Sequence, residues 1–153
     1  MAARKTTPPI CLLLFAMCAL FCQSCGRESP PTDYQRAYAK AILHGKRCNI
    51  RNLAVAGKTT IVEFYSKYSA PSVQLSLQLE ALAKKRTDIQ VVRLDINRPE
   101  VQGIDWKSPL AAQYNLKALP YLVVYDGEGQ QMLAGDPAYR HVAAMLTDNR
   151  QAD

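Results

Sequence analysis

Two serines separated by an alanine and a proline are the first residues whose spacing could support chemistry. Ser69 and Ser72 follow the apolar run TTIVEFY at residues 59–65, and the stretch after them is long enough for a helix. A serine hydroxyl becomes a nucleophile only when a general base lies within hydrogen-bond reach. Both histidines of the chain, His44 and His141, fall in predicted helices outside this motif. We therefore expect Ser69 to cap a helix and not to act as a hydrolytic nucleophile.

Cysteine is the other residue type that could carry chemistry, but its distribution argues against a dithiol site. Three of the five cysteines, Cys11, Cys18 and Cys22, fall in an apolar N-terminal leader, and Cys25 follows them closely. Cys48 is the one cysteine left in the predicted domain, so it has no partner there for a disulfide or a C-x-x-C pair. We expect Cys48 to be an inert, partly buried thiol. A reactive thiol or an intermolecular disulfide is the alternative.

The N-terminus is predicted to carry an export leader over residues 1–25. Two basic residues precede the apolar run at residues 10–21. At 1.5 Å per residue this run spans about 18 Å, less than the roughly 30 Å of a bilayer core, so a cleaved signal peptide fits better than an uncleaved anchor. The sequence QSCG at residues 23–26 resembles a bacterial lipoprotein processing site, which predicts an acylated Cys25. Ordinary signal cleavage nearby, which would release a soluble protein, is the alternative.

The rest of the chain has the composition of one globular domain. Residues 26–33 are expected to be a polar, proline-containing tether, and residues 34–150 the domain itself. The net charge of +6 is modest and no basic stripe is interleaved with aromatic residues, so nucleic acid is not an expected partner. Histidines and cysteines are too few for a metal site, and no glycine-rich phosphate loop occurs. We expect no metal and no other cofactor.

The elements that must position the two serines follow from the apolar pattern. The predicted order is a helix at residues 34–44, a strand at 59–65, a helix after 72, a strand at 89–96, a helix at 108–114, strands at 121–125 and 130–134, and a final helix from Asp136. Gly45 is predicted to end the first helix, and the turn DGEG joins the last two strands as a hairpin. Two strands that are connected through a helix run parallel to each other, and the hairpin adds antiparallel strands. We therefore expect an α/β fold with a central mixed sheet flanked by helices.

Short motifs in these elements together resemble the thioredoxin superfamily. The stretch TIVEFYSKYSAPS at residues 60–72 is similar to the thioredoxin signature, in which an apolar strand leads through a short loop to Cys-x-Pro-Cys or a similar motif. The tripeptide LPY at residues 119–121 stands where that superfamily has Ile-Pro-Thr with a cis proline. The resemblance covers about residues 57–146 and implies the thioredoxin fold, with the motif cysteines replaced as S-x-x-S.

This resemblance implies that Ser69 and Ser72 occupy the positions of the attacking and resolving cysteines. Dithiol exchange needs a thiolate, stabilised at a helix N-terminus, and a second thiol that resolves the mixed disulfide. A serine alkoxide is far less accessible than a thiolate and serine forms no disulfide, so neither half-reaction survives. We expect a redox-inactive protein, and the alternative is an oxidoreductase with residual activity through Cys48.

By the same resemblance, Glu63 matches the buried acid that relays a proton to the resolving cysteine. Because Ser72 replaces the resolving cysteine, Glu63 has no thiol with which to exchange a proton. We therefore expect Glu63 to be a structural remnant. Two environments are open for its carboxyl group. It is either buried with a raised pKa or paired with Lys67 or Lys84.

The surface around the motif could still bind an extended peptide, because in this superfamily the backbone beside the cis proline pairs with a substrate strand. The expected partner-binding residues are Tyr68, Ser69, Ala70, Pro71, Leu119, Pro120 and Tyr121. An apolar patch left over from an enzyme is the alternative. The stretch RPEVQGIDWK at residues 98–107 is longer than a minimal thioredoxin loop, and its Trp106 is either a groove aromatic or a core-capping one.

These expectations describe an exported protein of the cell envelope that binds a protein or peptide partner. It is expected to be a membrane-anchored lipoprotein, and otherwise periplasmic or secreted. Its contact with the membrane would run through the lipid anchor or the signal segment.

Overall fold

A computed structural model describes residues 38–41 and 44–151, with the side chains of residues 44–149. The strands are β1 (Tyr38–Ala41), β2 (Thr59–Tyr65), β3 (Ile89–Asp95), β4 (Tyr121–Tyr125) and β5 (Gln131–Ala134). The helices are α1 (Ala70–Lys85), α2 (Pro109–Gln113) and α3 (Asp136–Gln151), and a short 3₁₀ helix covers Ile50–Leu53. Every predicted element from residue 59 onward is confirmed to within a few residues.

The five strands form one mixed sheet in the order β1-β3-β2-β4-β5. β1 and β2 both pair in parallel with β3, whereas β4 runs antiparallel to β2 and β5 antiparallel to β4. The expected α/β fold, a central mixed sheet flanked by helices, is therefore confirmed.

Alternate residues of the central strands enter two apolar layers on opposite faces of the sheet. On one face, Ile61 of β2 packs with the buried sides of α1 and α3. On the other, Val62 and Phe64 pack with the 3₁₀ helix and α2. Because β2 and β3 are covered on both faces, nearly every residue of the two strands is buried, including the polar Thr60, Glu63 and Gln90. Loss of one large side chain here, such as Phe64, would cost about 3–5 kcal/mol of unfolding free energy.

The N-terminal part of the domain differs from its prediction. The sequence predicts a helix at residues 34–44, but residues 38–41 form β1, which pairs with β3 from Val91 to Leu94. The helix prediction is wrong for these four residues; residues 34–37, 42 and 43 lie outside the described part of the chain. Pairing with β1 satisfies backbone groups along the outer edge of β3, and this gain overrides the weak local helix preference of an alanine-containing segment.

Gly45 forms a turn after β1 and does not end a helix. Its φ of +71° is in the left-handed region, and a Cβ there would lie 2.8 Å from the Ile96 carbonyl oxygen and 2.9 Å from the Ser108 Cβ. Its N–H donates to the Asp95 carbonyl at 3.2 Å, and its own carbonyl accepts from the Leu110 N–H at 2.8 Å. Only glycine fits this position, which ties β1 to the end of β3 and the start of α2.

The loops of the molecule gather at two ends of the sheet. Strands β1, β2, β3 and β5 all end at one edge and β4 begins there, which we call the C-terminal edge. Its loops are residues 44–49, 66–69, 96–108, 115–120 and 135–136. The loops at residues 54–58, 86–88 and 126–130 form the opposite edge.

Candidate functional site

The S-x-x-S motif lies at the start of α1, on the C-terminal edge. Ser69 is the N-cap residue of the helix, with an extended backbone (φ −105°, ψ 104°), and Pro71 follows in the first turn. The Ser69 hydroxyl accepts a long hydrogen bond from the Ser72 backbone N–H at 3.4 Å. The expected helix cap is confirmed.

Neither serine is arranged as a nucleophile. Ser69 is 6% exposed and Ser72 is fully buried. Within residues 44–149, neither hydroxyl is hydrogen-bonded to His44 or His141, and the Ser72 Oγ has no hydrogen-bond partner at all. A buried, unpartnered hydroxyl costs stability and is not activated towards a substrate.

Glu63 lies beneath the motif, on the face of β2 that packs against α1. Its side chain is fully buried, and its two oxygens share the Ser76 hydroxyl as donor, at 2.9 and 2.8 Å. Burial raises the pKa of Glu63 to about 7, while the Ser76 hydrogen bond and the positive charge of Arg93 on β3 act in the opposite direction. Of the two environments expected for Glu63, the structure has the buried carboxyl group with a raised pKa.

The alternative environment, in which Glu63 pairs with Lys67 or Lys84, does not occur. Lys84 Nζ lies 3.2 Å from Glu80, one helical turn away on the surface of α1. Lys67 Nζ lies 5.0 Å from the centre of the Tyr68 ring. Both lysines belong to the surface, because a long flexible cation gains more from water than from a buried site.

The Leu119–Pro120 peptide bond is cis, as the resemblance implies. It directly precedes β4, whose first residue Tyr121 pairs with Phe64 near the end of β2. This register sets the cis proline beside the loop that carries Ser69. The motif and the cis proline therefore share the C-terminal edge.

A groove of about 490 Å³ opens next to the cis proline, between the loop before β4 and the start of α3. Pro120, Tyr121 and Tyr139 supply its apolar walls, and Lys117 and Asp136 are its charged lining residues. The groove is open to solvent and large enough for a few side chains of another molecule.

The expected partner-binding residues differ in accessibility. Tyr68 is 37% exposed, Ala70 and Pro71 are exposed, Leu119, Pro120 and Tyr121 are half-buried, and Ser69 is buried. Another molecule can touch six of these seven residues, whereas the Ser69 side chain is engaged with its own helix.

The long loop after β3 is fastened to the motif loop. The buried side chain of Asn97 accepts from the Ser66 hydroxyl at 2.6 Å and donates to the Gly103 carbonyl. The same Ser66 oxygen accepts from the Tyr68 N–H at 3.2 Å, and the Tyr68 hydroxyl donates to Gln102 at 3.0 Å. Tyr68 is therefore held at its backbone by Ser66 of its own loop and at its hydroxyl by Gln102 of the long loop.

An ion pair closes the same loop. Arg98 donates to the Asp105 carboxylate from Nε at 2.7 Å, from Nη2 at 3.1 Å and from its backbone N–H at 3.3 Å. These bonds hold the pKa of Asp105 below its ordinary value although the residue is 3% exposed. Trp106 follows and is 40% exposed, so it does not cap the core. Sequence reasoning missed this pair, since two opposite charges seven residues apart in a loop are not a specific signal.

Cys48 lies before the 3₁₀ helix, half-buried and without a disulfide. Burial raises the pKa of its thiol, which disfavours the reactive thiolate. Its backbone is held by Gln113, which both accepts from and donates to it, and by the Tyr114 hydroxyl at 2.6 Å. These features favour the inert thiol over the reactive one. Cys25, the leader and the tether lie outside the described residues.

Two further observations concern the part of the chain that the structure describes. None of its helices is long and apolar enough to cross a membrane. Over the same residues, no three His, Cys, Asp or Glu side chains come together in a group that could hold a metal ion.

The arrangement of sheet, helices and cis proline can be compared with known proteins. Neither a protein-family model nor a curated protein matches this sequence. Among solved structures, similar ones include thioredoxin f from spinach chloroplast in its short form, with TM-score 0.51, 13% identity, and coverage of 75% of this chain and 95% of that one. A chain of the complex of ferredoxin:thioredoxin reductase with thioredoxin f2 matches at TM-score 0.51 and 15% identity, covering 74% of this chain and 96% of that one. The chain has the thioredoxin fold.

Identities this low establish the fold and nothing about activity. Within the thioredoxin fold, the S-x-x-S motif and the cis Pro120 lie at the C-terminal edge, and the buried Glu63 lies beneath the motif, as the resemblance implies.

Proposed function

We propose that this chain is a redox-inactive thioredoxin-fold protein of the cell envelope that binds a protein or peptide partner through the surface around its S-x-x-S motif. One observation carries the proposal: the site has the helix cap at Ser69 and an open groove beside Pro120, yet contains no thiol. Cys48, the one cysteine of the described residues, lies in a different segment.

The loss of exchange chemistry follows from the residue types at the motif. A disulfide exchange step forms a sulfur–sulfur bond, and the hydroxyls of Ser69 and Ser72 cannot form one. The buried Glu63 has a hydroxyl of Ser76 as its hydrogen-bond partner and no thiol to deprotonate. This absence of a sulfur nucleophile supports a binding role over a catalytic one.

The support for binding is the accessible surface that remains. The groove beside Pro120 has apolar walls and is open to solvent. Tyr68, at the other side of the motif, is exposed and held in place by Ser66 and Gln102. An aromatic side chain that is already ordered loses little conformational entropy when a partner covers it.

The envelope location rests on the predicted leader at residues 1–25 and on the resemblance of residues 23–26 to a lipoprotein processing site. Mass spectrometry of the mature N-terminus tests it. An acylated Cys25 as first residue is expected, and an unmodified start at another residue would exclude the lipoprotein form.

Insulin reduction with dithiothreitol as the electron source tests the loss of catalysis. We expect the wild-type protein and Cys48→Ser to be equally inactive, and the double variant Ser69→Cys/Ser72→Cys to gain activity, because the helix N-terminus that would stabilise a thiolate is present. If wild-type activity is present and disappears in Cys48→Ser, the oxidoreductase alternative is correct and the proposal is wrong.

Cross-linking in envelope extract tests binding with a matched pair of variants. Tyr139→Ala alters the groove, whereas Val55→Ala alters an exposed apolar residue at the opposite edge. We expect a defined cross-linked product that Tyr139→Ala weakens and Val55→Ala does not. Equal yields in both variants would show that the groove is not the binding surface.

A further inference from the structure

The C-terminal edge carries an excess of positive charge. Its loops contain the cationic residues Lys46, Arg47, Lys67, Arg98, Lys107 and Lys117, and the acidic residues Glu100, Asp105 and Asp136. Arg98 and Asp105 neutralise each other at 2.7 Å. Asp95, the last residue of β3, is half-buried and accepts the Asn97 N–H at 2.8 Å. The remaining five cations and two acids of these loops are all exposed.

The opposite edge shows no such excess. Its loops contain Lys58 and Arg86 as cations, and Asp88, Asp126 and Glu128 as acids. Arg86 and Asp88 pair with each other at 2.6 Å. The positive charge of the described loops is therefore concentrated at the end of the domain that carries the motif and the cis proline.

Exposed aromatic side chains are concentrated at the same end. Tyr68, Trp106 and Tyr139 are 37%, 40% and 47% exposed, and they are the three strongly exposed aromatic residues of the described chain. Tyr68 precedes the motif, Trp106 belongs to the long loop after β3, and Tyr139 lines the groove. Aromatic residues beside cations are typical of interfaces that bury apolar side chains between charged ones.

The long loop after β3 presents its part of this surface in a fixed conformation. Asn97 ties it to Ser66, and the Arg98–Asp105 pair closes its base, directly before Trp106 and Lys107. A partner that binds there does not have to order the loop, so less of the interaction free energy is lost on binding.

We propose that the partner segment is an extended, acidic stretch of protein chain whose apolar side chains alternate with carboxylates. It lies across the C-terminal edge, from Trp106 and Lys107 past Tyr68 to the groove at Pro120. Its carboxylates match the exposed lysines, and its apolar side chains cover the aromatic residues. This inference rests on the proposed function and adds the chemistry of the partner to it.

Fluorescence anisotropy with three labelled peptides tests the proposal on the full chain in a neutral detergent. In the first peptide glutamate alternates with valine, and in the other two glutamine or lysine replaces glutamate. We expect the glutamate peptide to bind about tenfold more tightly than the glutamine peptide and to weaken as salt is raised. The lysine peptide should bind weakest, because it meets like charges.

A matched pair of variants locates the binding surface. Lys67→Glu/Lys107→Glu reverses two charges at the C-terminal edge, and Lys58→Glu/Lys85→Glu makes the same change in net charge away from it. We expect the first pair to weaken binding of the glutamate peptide about tenfold and the second to change it less than about twofold.

The possible failures are distinguishable. If the glutamine and glutamate peptides bind equally, or both variant pairs weaken binding equally, the acidic preference is wrong while peptide binding stands. If no peptide binds, this inference is wrong, and the cross-linking comparison of Tyr139→Ala with Val55→Ala decides separately whether the proposed function stands. Vesicles of phosphatidylglycerol that bind through Lys67 and Lys107, in the absence of peptide binding, would assign the positive edge to a membrane surface and overturn the proposal.

Discussion

Two buried carboxyl groups near the C-terminal edge have pKa values that are shifted in opposite directions. Glu63 under α1 has its pKa raised to about 7, whereas Asp105 in the long loop has its pKa lowered. Both are almost inaccessible to solvent. Glu63 receives a neutral hydroxyl of Ser76 as its closest donor, while Asp105 receives the Arg98 guanidinium through two hydrogen bonds. Burial alone does not decide the pKa of a carboxyl group, because a positively charged hydrogen-bond donor can outweigh the effect of burial.

The two groups should therefore act on stability in opposite pH ranges. The folded-state pKa of Glu63 lies above its ordinary value of 4.5, so its stabilising contribution is complete below about pH 4.5 and is lost as the pH rises to about 7. The folded-state pKa of Asp105 lies below its ordinary value of 3.8. Its contribution is complete above that value and is lost as the pH falls through the lowered pKa.

The largest expected effect comes from removing the titration of Glu63. Between about pH 5 and about pH 8, we expect the free energy of unfolding of the wild type to fall by about 3 kcal/mol more than that of Glu63→Gln. The amide introduced by the substitution stays neutral, so its cost of burial does not change with pH. Urea denaturation at the two pH values measures the difference, and identical pH dependence in the two proteins would show that Glu63 titrates normally.

A smaller effect is expected from Asp105→Asn. The variant removes the charge that Arg98 pairs with, and we expect a loss of about 2 kcal/mol at neutral pH, a value that allows for solvent screening of a guanidinium that is 38% exposed. Urea denaturation measures it.

Glu100→Gln is the matched control for Asp105. Glu100 lies 4.0 Å from the same Arg98 Nε but its side chain is 69% exposed, so its removal should leave the urea midpoint unchanged. Equal effects of the two variants would mean that the buried hydrogen bonds of Asp105 do not stabilise the loop.

The smallest effects are expected at two buried serines of α1, Ser76 and Ser72. Ser76→Ala removes the donor to the carboxylate, so it should raise the pKa of Glu63 further and cost about 1 kcal/mol above pH 7. Ser72→Ala removes a hydroxyl without a hydrogen-bond partner among the described residues and should leave the Glu63 pKa unchanged. An NMR titration of the Glu63 carboxyl carbon compares them. If the Glu63 pKa changed in Ser72→Ala and not in Ser76→Ala, Ser72 and not Ser76 would be the hydrogen-bond donor to Glu63.

Local patterns were sufficient to predict most of the fold. The β-branched and aromatic run of β2, the turn after β4 and the proline-started α1 each have a signal within a few residues. The segment at residues 38–41 has no comparable signal, because its strand exists only through pairing with β3. Local preference is a weak term that a partner strand overrides.

The candidate site, like the fold, was predictable in part. The positions of Ser69 as a cap, of Pro120 as a cis proline and of Glu63 as a buried acid follow from sequence motifs, and the structure has all three. The hydrogen-bond partners of the site residues could not be predicted from these motifs. The sequence did not indicate Ser76 as the donor to Glu63, and it did not indicate that Asn97 holds the motif loop.

The sequence by itself determined that the motif has no thiol, because that depends on residue type and not on conformation. It also determined the order of the elements from residue 59 onward through their apolar periodicity. Only the tertiary structure decided the raised pKa of Glu63, the closure of the long loop by Arg98 and Asp105, and the excess of positive charge in the loops of one edge. These properties depend on distances between residues remote in the chain, such as the 31 positions between Ser66 and Asn97, which a linear pattern does not contain.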